Sequence, residues 1–266
     1  MTDSFYLRDG DGFVATTFTQ GAWDPNQQHG GAVQALLVHC AERVPTLTPM
    51  QLTRLTVDMV KPVPIGEHLD VRSTITREGK KIQTLALTMT AGDTELVRAT
   101  ALRVRVEDVV GLTNLPSTTV AAELELPPPE SVTPNVYPAD YARPGFLRAV
   151  EMRRFQAPLG PEGVFGWWLH TNHPLVDDEP MPAMSRLMIA ADMANTIGVM
   201  IDPTAYTTIN PDMSVHVLRA PVGEWVAVVG NTRFNLGAGL GVSQAQLADR
   251  DGICALASTS QLVQVR

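Results

Sequence analysis

PAMSRLMIAADMANTIGVMIDP, residues Pro182 to Pro203, is so densely apolar that a helix here would be buried on nearly every side. Four polar residues interrupt it. Ser185, Asp192, Asn195 and Thr196 stand seven, three and four positions from Asp192 or coincide with it, and so share one stripe at helical spacing. Desolvation disfavours the charged form of a carboxylate, so burial without a cation predicts a raised pKa at Asp192 and a role as general base or acid. Buried polar groups also serve packing by accepting hydrogen bonds. The helix alone leaves both readings open.

The flanking sequence shows what such a helix would pack against. Gln28-His29-Gly30-Gly31 precedes AVQALLVHCAERV, whose apolar positions recur at helical spacing up to Val44, with Pro45 closing the element. Two glycines at a helix start allow close approach to free backbone N–H groups at the positive end of the helix dipole, which suits an anion or a developing oxyanion. From Gln51 the period changes to two, with alternating runs near 55–59, 69–77, 82–90 and 96–104 separated by short turns. That spacing predicts an antiparallel meander around the helix. An earlier strand is predicted at Phe13–Thr19. Arg77, Lys80 and Lys81 at one turn, with Arg103 and Arg105 at a strand end, are candidates for phosphate contacts; a solvated turn is the alternative.

Between Glu107 and Arg148 the periodicity is lost and prolines recur, which predicts a linker crossing the surface. The chain is read as an N-terminal unit over 1–107, a linker over 108–148 and a C-terminal unit over 149–266. Beyond the linker come strands near 149–155 and 164–170, the Asp192 helix, and alternating runs near 208–217, 225–234, 241–248 and 253–265. Gln261 falls on the apolar face of the last strand, where an amide needs partners.

The two units look like one used twice. Pro64-Ile65-Gly66-Glu67 reappears as Pro221-Val222-Gly223-Glu224, and Asp58-Met59 as Asp212-Met213, the second pair 154 residues apart. Carried back to the helices, that offset sets Val38 opposite Asp192, and Met184 and Ser185 opposite Gly30 and Gly31. The carboxylate belongs to one copy and the paired glycines to the other. If the copies pack as a pseudo-dimer, one composite site joins them.

Composition narrows the setting. The 266 residues are 44% hydrophobic and 18% charged, which describes a globular chain, and a net charge of −8 argues against a nucleic-acid surface. No run approaches the length of a membrane span and the start lacks a signal peptide's pattern, so a cytoplasmic protein is expected. Cys40 and Cys254 lack metal-type spacing and read as core thiols, with one bridge left open.

These motifs resemble the double-hotdog acyl-CoA thioesterase II family. His29-Gly30-Gly31 is similar to the helix start of hotdog thioesterases, Ala191-Asp192-Met193-Ala194 to their Ala-Asp-x-Ala helix motif, and Thr208-Ile209…Met213…His216 with Ala257-Ser258-Thr259-Ser260-Gln261 to the C-terminal half. The resemblance implies an α+β fold in which two curved antiparallel sheets each wrap a central helix. It implies hydrolysis of an acyl-CoA substrate, with Asp192, Thr208 and Gln261 as catalytic residues positioning a water whose proton Asp192 accepts. The Gly30 and Gly31 amides would hold the oxyanion, Arg77, Lys80 and Lys81 the CoA phosphates, and Met184, Met188, Met193 and Met200 an acyl tunnel. No metal and no cofactor beyond the CoA of the substrate is expected, and free sheet edges imply a possible homodimer. Asn210-Pro211 departs from the family's usual Asp-His. Neither a Gly-x-Ser-x-Gly elbow nor a recognisable Cys-His pair is present. The rival readings are a double-hotdog enoyl-CoA hydratase and a non-catalytic acyl-CoA or lipid-binding module.

Overall fold

The structure, a computed structural model, describes residues 3–108, 124–137, 139, 141–156, 165–197, 201–202 and 205–266. The chain runs β1 (Tyr6–Asp9), β2 (Gly12–Ala15), α1 (Gly30–Glu42), β3 (Met50–Met59), β4 (His68–Arg77), β5 (Ile82–Ala91) and β6 (Thr94–Arg105). It continues through α2 (Gly145–Ala149), β7 (Glu151–Gln156), β8 (Phe165–His170), α3 (Ala183–Ala191), β9 (Tyr206–Ile209), β10 (Asp212–Val217), β11 (Val226–Asn235), β12 (Leu240–Asp249) and β13 (Gly252–Val265). Helix α1 lies against β3 to β6 and α3 against β11 and β12. Each half is a helix wrapped by antiparallel strands, the α+β double-hotdog architecture that the sequence implies.

The halves join at the pairing of β3 with β10, where Asp58 stands opposite Asp212 and Val57 opposite Met213. Asp58 and Asp212, matched by the internal repeat, are thus each other's partners, so a pseudo-twofold axis passes between them. Helices α1 and α3 cross that axis antiparallel: Ser185 Oγ donates to Ala35 O at 3.1 Å, while the other end of α3 reaches Gly30. The repeated Pro-x-Gly-Glu turns share a physical cause, since Gly66 and Gly223 adopt φ of +80° and +76°, where a side chain is strained.

Several expectations change. The first strand is instead a hairpin, β1–β2, because Gly10 at φ +59° turns the chain earlier; Thr17–Thr19 form a 3₁₀ turn. Helix α3 stops at Ala191 and passes into a 3₁₀ segment, Asp192–Thr196. Side chains take its last carbonyls: Thr196 Oγ1 bonds Met193 O, Gln261 Nε2 bonds Asn195 O and Trp167 Nε1 bonds Thr196 O. Met200 and Pro203 lie outside the described residues. The alternating run at 208–217 is two strands, split at Asn210-Pro211, where proline has no N–H to donate.

The proline-rich segment does not simply cross the surface. Leu124 and Val132 are buried, and Phe146 is fully so. Gln20 pins the end of the segment, its Oε1 accepting from Gly145 N and its carbonyl from Phe146 N. Pro116 and Pro138 lie outside the described residues. The end strands of the sheet are not free edges along their whole length, since Tyr6 bridges to Val176 and Arg153 to Pro134. Among the described residues no helix is long and apolar enough to cross a membrane.

The second Pro-x-Gly-Glu turn is held by a buried ion pair. Asp249 accepts both Arg219 guanidinium nitrogens at 2.6 Å, together with the N–H groups of Val222 and Asp251. Burial would raise the Asp249 pKa, but Arg219 and those two amides outweigh it and hold it at about 2. Stability from this pair is therefore complete above about pH 4 and lost as the pH falls through about 2, roughly 2 kcal/mol in all. In Asp249→Asn, thermal unfolding midpoints should lose that part of their acid dependence; an unchanged pH profile would contradict the assignment.

Candidate active site

Asp192 closes α3 and is only 4% exposed. It faces the start of α1: a Cβ placed on Gly30 would lie 2.8 Å from Asp192 Oδ1, and one on Gly31 would lie 2.9 Å from the Ile189 carbonyl. Both glycines are required for the helices to come this close. The carboxylate of one copy and the glycine-lined helix start of the other do meet. The corresponding place across the axis has Val38 and Met184 instead.

The carboxylate is well supplied with donors. Oδ1 accepts from Gln34 Nε2 at 3.1 Å and Asn210 Nδ2 at 3.2 Å, and Oδ2 lies 3.0 Å from His29 Nδ1. The Gly31 N–H is 3.1 Å from the same His29 nitrogen and also helps stabilise the carboxylate. Burial pushes the Asp192 pKa up, but His29, Asn210 and the Gly31 amide overcome it and hold the group below its ordinary value. This corrects the expected rise: the carboxylate loses water but gains a histidine and an array of donors. The helix dipole of α1 adds in the same direction, because its positive end points at Asp192.

A cavity of about 360 Å³ opens onto this cluster, lined by His29, Gly30, Gln34, Asp192 and Asn210 on its polar side. Val57, Met59, Met193 and Met213 supply apolar wall from both halves. Of the methionines proposed for a tunnel, Met193 lines the cavity, while Met184 and Met188 are buried in the core. Phe146 also lines the cavity, with its ring parallel to that of His29.

The other candidate residues lie elsewhere. Gln261 is buried on β13, its Nε2 bonding Ser243 Oγ at 2.6 Å and Asn195 O at 3.3 Å. Thr208 is half-buried on β9, paired with Val263. Neither lines the cavity. Arg77, Lys80 and Lys81 are exposed at the β4–β5 turn, near the C-terminal end of α1 and about 20 Å along that helix from Gly30. Arg103 is buried and donates to Val44 O and Gln83 Oε1, which corrects its reading as a phosphate ligand: it ties the segment after α1 to β5. Cys40 and Cys254 are both free.

Gln34 and Asn210 belong to the site and were missed. Gln34 carried a signal, a lone amide inside the apolar run of α1. Asn210 was read only as a departure from a family pattern, although a carboxylate there would repel Asp192 where the amide donates to it. Phe146 sits in an aperiodic segment with no local signal.

Residues 19–104 match the N-terminal domain of acyl-CoA thioesterases and residues 124–265 the C-terminal domain. The chain belongs to the acyl-CoA thioesterase family. It is therefore read as a thioesterase with an acyl-CoA substrate. None of the curated proteins compared with the chain matches it. Three solved structures are similar: a protein from Novosphingobium aromaticivorans assigned as a thioesterase (19% identity, 97% of this chain and 98% of that one, TM-score 0.72); a hot dog fold protein of unknown function from Alicyclobacillus acidocaldarius (18%, 99% and 97%, TM-score 0.70); and a tesB protein from Mycobacterium avium subs. paratuberculosis (18%, 97% and 95%, TM-score 0.68). At these identities the likeness is one of fold.

The donor array makes a direct prediction. Titration of the Asp192 carboxyl followed by carbon NMR should give a midpoint below the ordinary carboxylate range, and Asn210→Ala should move it upward. A midpoint above that range in the parent would contradict the geometry.

Proposed function

We propose that the chain hydrolyses acyl-CoA thioesters to a free acid and CoA at the junction of Asp192 with the start of α1. The observation that carries this reading is a buried, ionised carboxylate beside an unspent backbone donor, the Gly30 N–H, at the head of an apolar cavity. No described residue accepts from the Gly30 N–H, which leaves it for the thioester oxygen as charge develops there. The Gly31 N–H is directed at His29 and Asp192, so its part is to hold them. The acyl chain lies along the Val57, Met59, Met193 and Met213 wall.

Asp192 supplies the negative charge against which a water loses its proton. Gln261 acts through the Asn195 carbonyl, steadying the 3₁₀ segment that carries Asp192, and Thr208 sets the strand that delivers Asn210. Lys61, exposed and lining the cavity, meets the CoA phosphates; Arg77, Lys80 and Lys81 take part where the rest of CoA extends to them. Thioester hydrolysis needs water and no cofactor in this reading. A cytoplasmic setting is part of the same reading.

The test is release of free thiol from a panel of acyl-CoAs. Asp192→Asn should lower the rate by about 10² to 10⁴ with the fold unchanged by circular dichroism. Equal rates in parent and variant would remove Asp192 from the reaction, and water addition to a trans-2-enoyl-CoA without thiol release would replace hydrolysis by hydration.

A further inference from the structure

His29 holds a position that the reading above leaves unused. Its ring lies flat on Phe146, with centroids 3.7 Å apart and planes 1° from parallel, and its Nδ1 is 3.0 Å from Asp192 Oδ2. The stack fixes the plane of the ring, and in the observed orientation Nδ1 faces the carboxylate. An ionised carboxylate offers only lone pairs, so that contact requires the proton on Nδ1. The Gly31 N–H, at 3.1 Å from Nδ1, is directed at both that nitrogen and the carboxylate, and with the proton on Nδ1 its acceptor is Asp192. In the neutral ring the Nε2 atom then keeps its lone pair. No described residue bonds it, and the ring lines the cavity beside Gly30.

The amides of Gln34 and Asn210 have their orientation set by the same carboxylate. Each turns its NH₂ toward Asp192, which leaves Gln34 Oε1 and Asn210 Oδ1 as buried acceptors without a partner among the described residues. Buried acceptors on a polar cavity wall need a donor, and water supplies two. An imidazole lone pair and an amide oxygen are what a water molecule needs to present its own lone pair to a carbonyl carbon.

We propose that His29, rather than Asp192, accepts the proton of the attacking water, through Nε2, while Asp192 fixes the tautomer and stabilises the imidazolium. The inference rests on the hydrolysis proposed above. Water donates one hydrogen to His29 Nε2 and the other to an amide oxygen of Gln34 or Asn210. Its oxygen bonds to the thioester carbon as the first proton passes to Nε2, and the carbonyl electron pair moves onto the oxygen beside the Gly30 N–H. Collapse of that intermediate breaks the C–S bond, and the departing thiolate takes the proton back from Nε2. A carboxylic acid and CoA thiol leave, His29 is neutral again, and nothing is oxidised or reduced. Asp192, with its oxygens already engaged by donors, is the weaker acceptor of the two.

The charged groups around His29 are Asp192 from the end of α3, and Lys61 and Asp212, which line the same cavity. The experiment uses the full chain and the acyl-CoA that the parent turns over fastest, with thiol release measured against pH. His29→Gln and His29→Gly should each lower kcat by at least about 100-fold. Added imidazole should restore His29→Gly by tenfold or more, in proportion to the free-base fraction of imidazole as pH is varied, and should leave Asp192→Asn unrestored. Variants within threefold of the parent, or a folded His29→Gly that imidazole does not restore, would overturn the inference. Should His29→Gly not fold, His29→Gln decides: a pH profile that keeps the parent's acidic limb overturns it, and loss of that limb supports it. A parent that releases no thiol from any acyl-CoA would instead overturn the hydrolysis reading itself.

Discussion

The buried carboxylate of Asp192 is the constraint around which the two halves are arranged. An unpaired charge in this position would cost several kcal/mol, so the fold must bring donors to it. They come from both copies: His29, Gly31 and Gln34 from the first, Asn210 from the second. The α3 dipole opposes a negative charge at its own C-terminal end, while α1, entering antiparallel, offers its positive end to the same atoms. Glycine at 30 and 31 lets that end come within contact distance.

Duplication followed by divergence explains why there is one such place. The central pairing of Asp58 with Asp212 keeps the twofold almost intact in the sheet, where both copies need the same alternation. The helices lie across the axis and are free to differ. Ser185, equivalent to Gly31, spends its hydroxyl on the Ala35 carbonyl and so contributes packing where its counterpart contributes a close approach. The site is asymmetric because Asp192 gives one junction a charge to satisfy where the equivalent position of the other is Val38.

Much of this was legible before any coordinates. A change of hydrophobic period from 3.6 to 2 marks where each helix gives way to its sheet, and the repeated Pro-x-Gly-Glu turn reveals the duplication because its backbone needs a glycine at positive φ. The meeting of Asp192 with Gly30 followed from the repeat offset. What stayed hidden depends on contacts without a period. Phe146 reaches His29 from an irregular segment pinned by Gln20, and the 3₁₀ segment that follows α3 is held by side chains from β8 and β13 that take the Asn195 and Thr196 carbonyls. The direction of the Asp192 pKa was misjudged because the donors around it come from elements far apart in the chain, and periodicity carries no information about them.

The most direct test of the account is a crystal structure of the protein with a non-hydrolysable acyl-CoA analogue in which a methylene replaces the thioester sulfur. The account predicts the ligand's carbonyl oxygen within hydrogen-bond distance of the Gly30 N–H, its carbonyl carbon facing the His29–Asp192 pair, and its acyl chain between Met59 and Met213. A carbonyl seated at the opposite junction, by Val38 and Met184, or away from both helix starts, would contradict it.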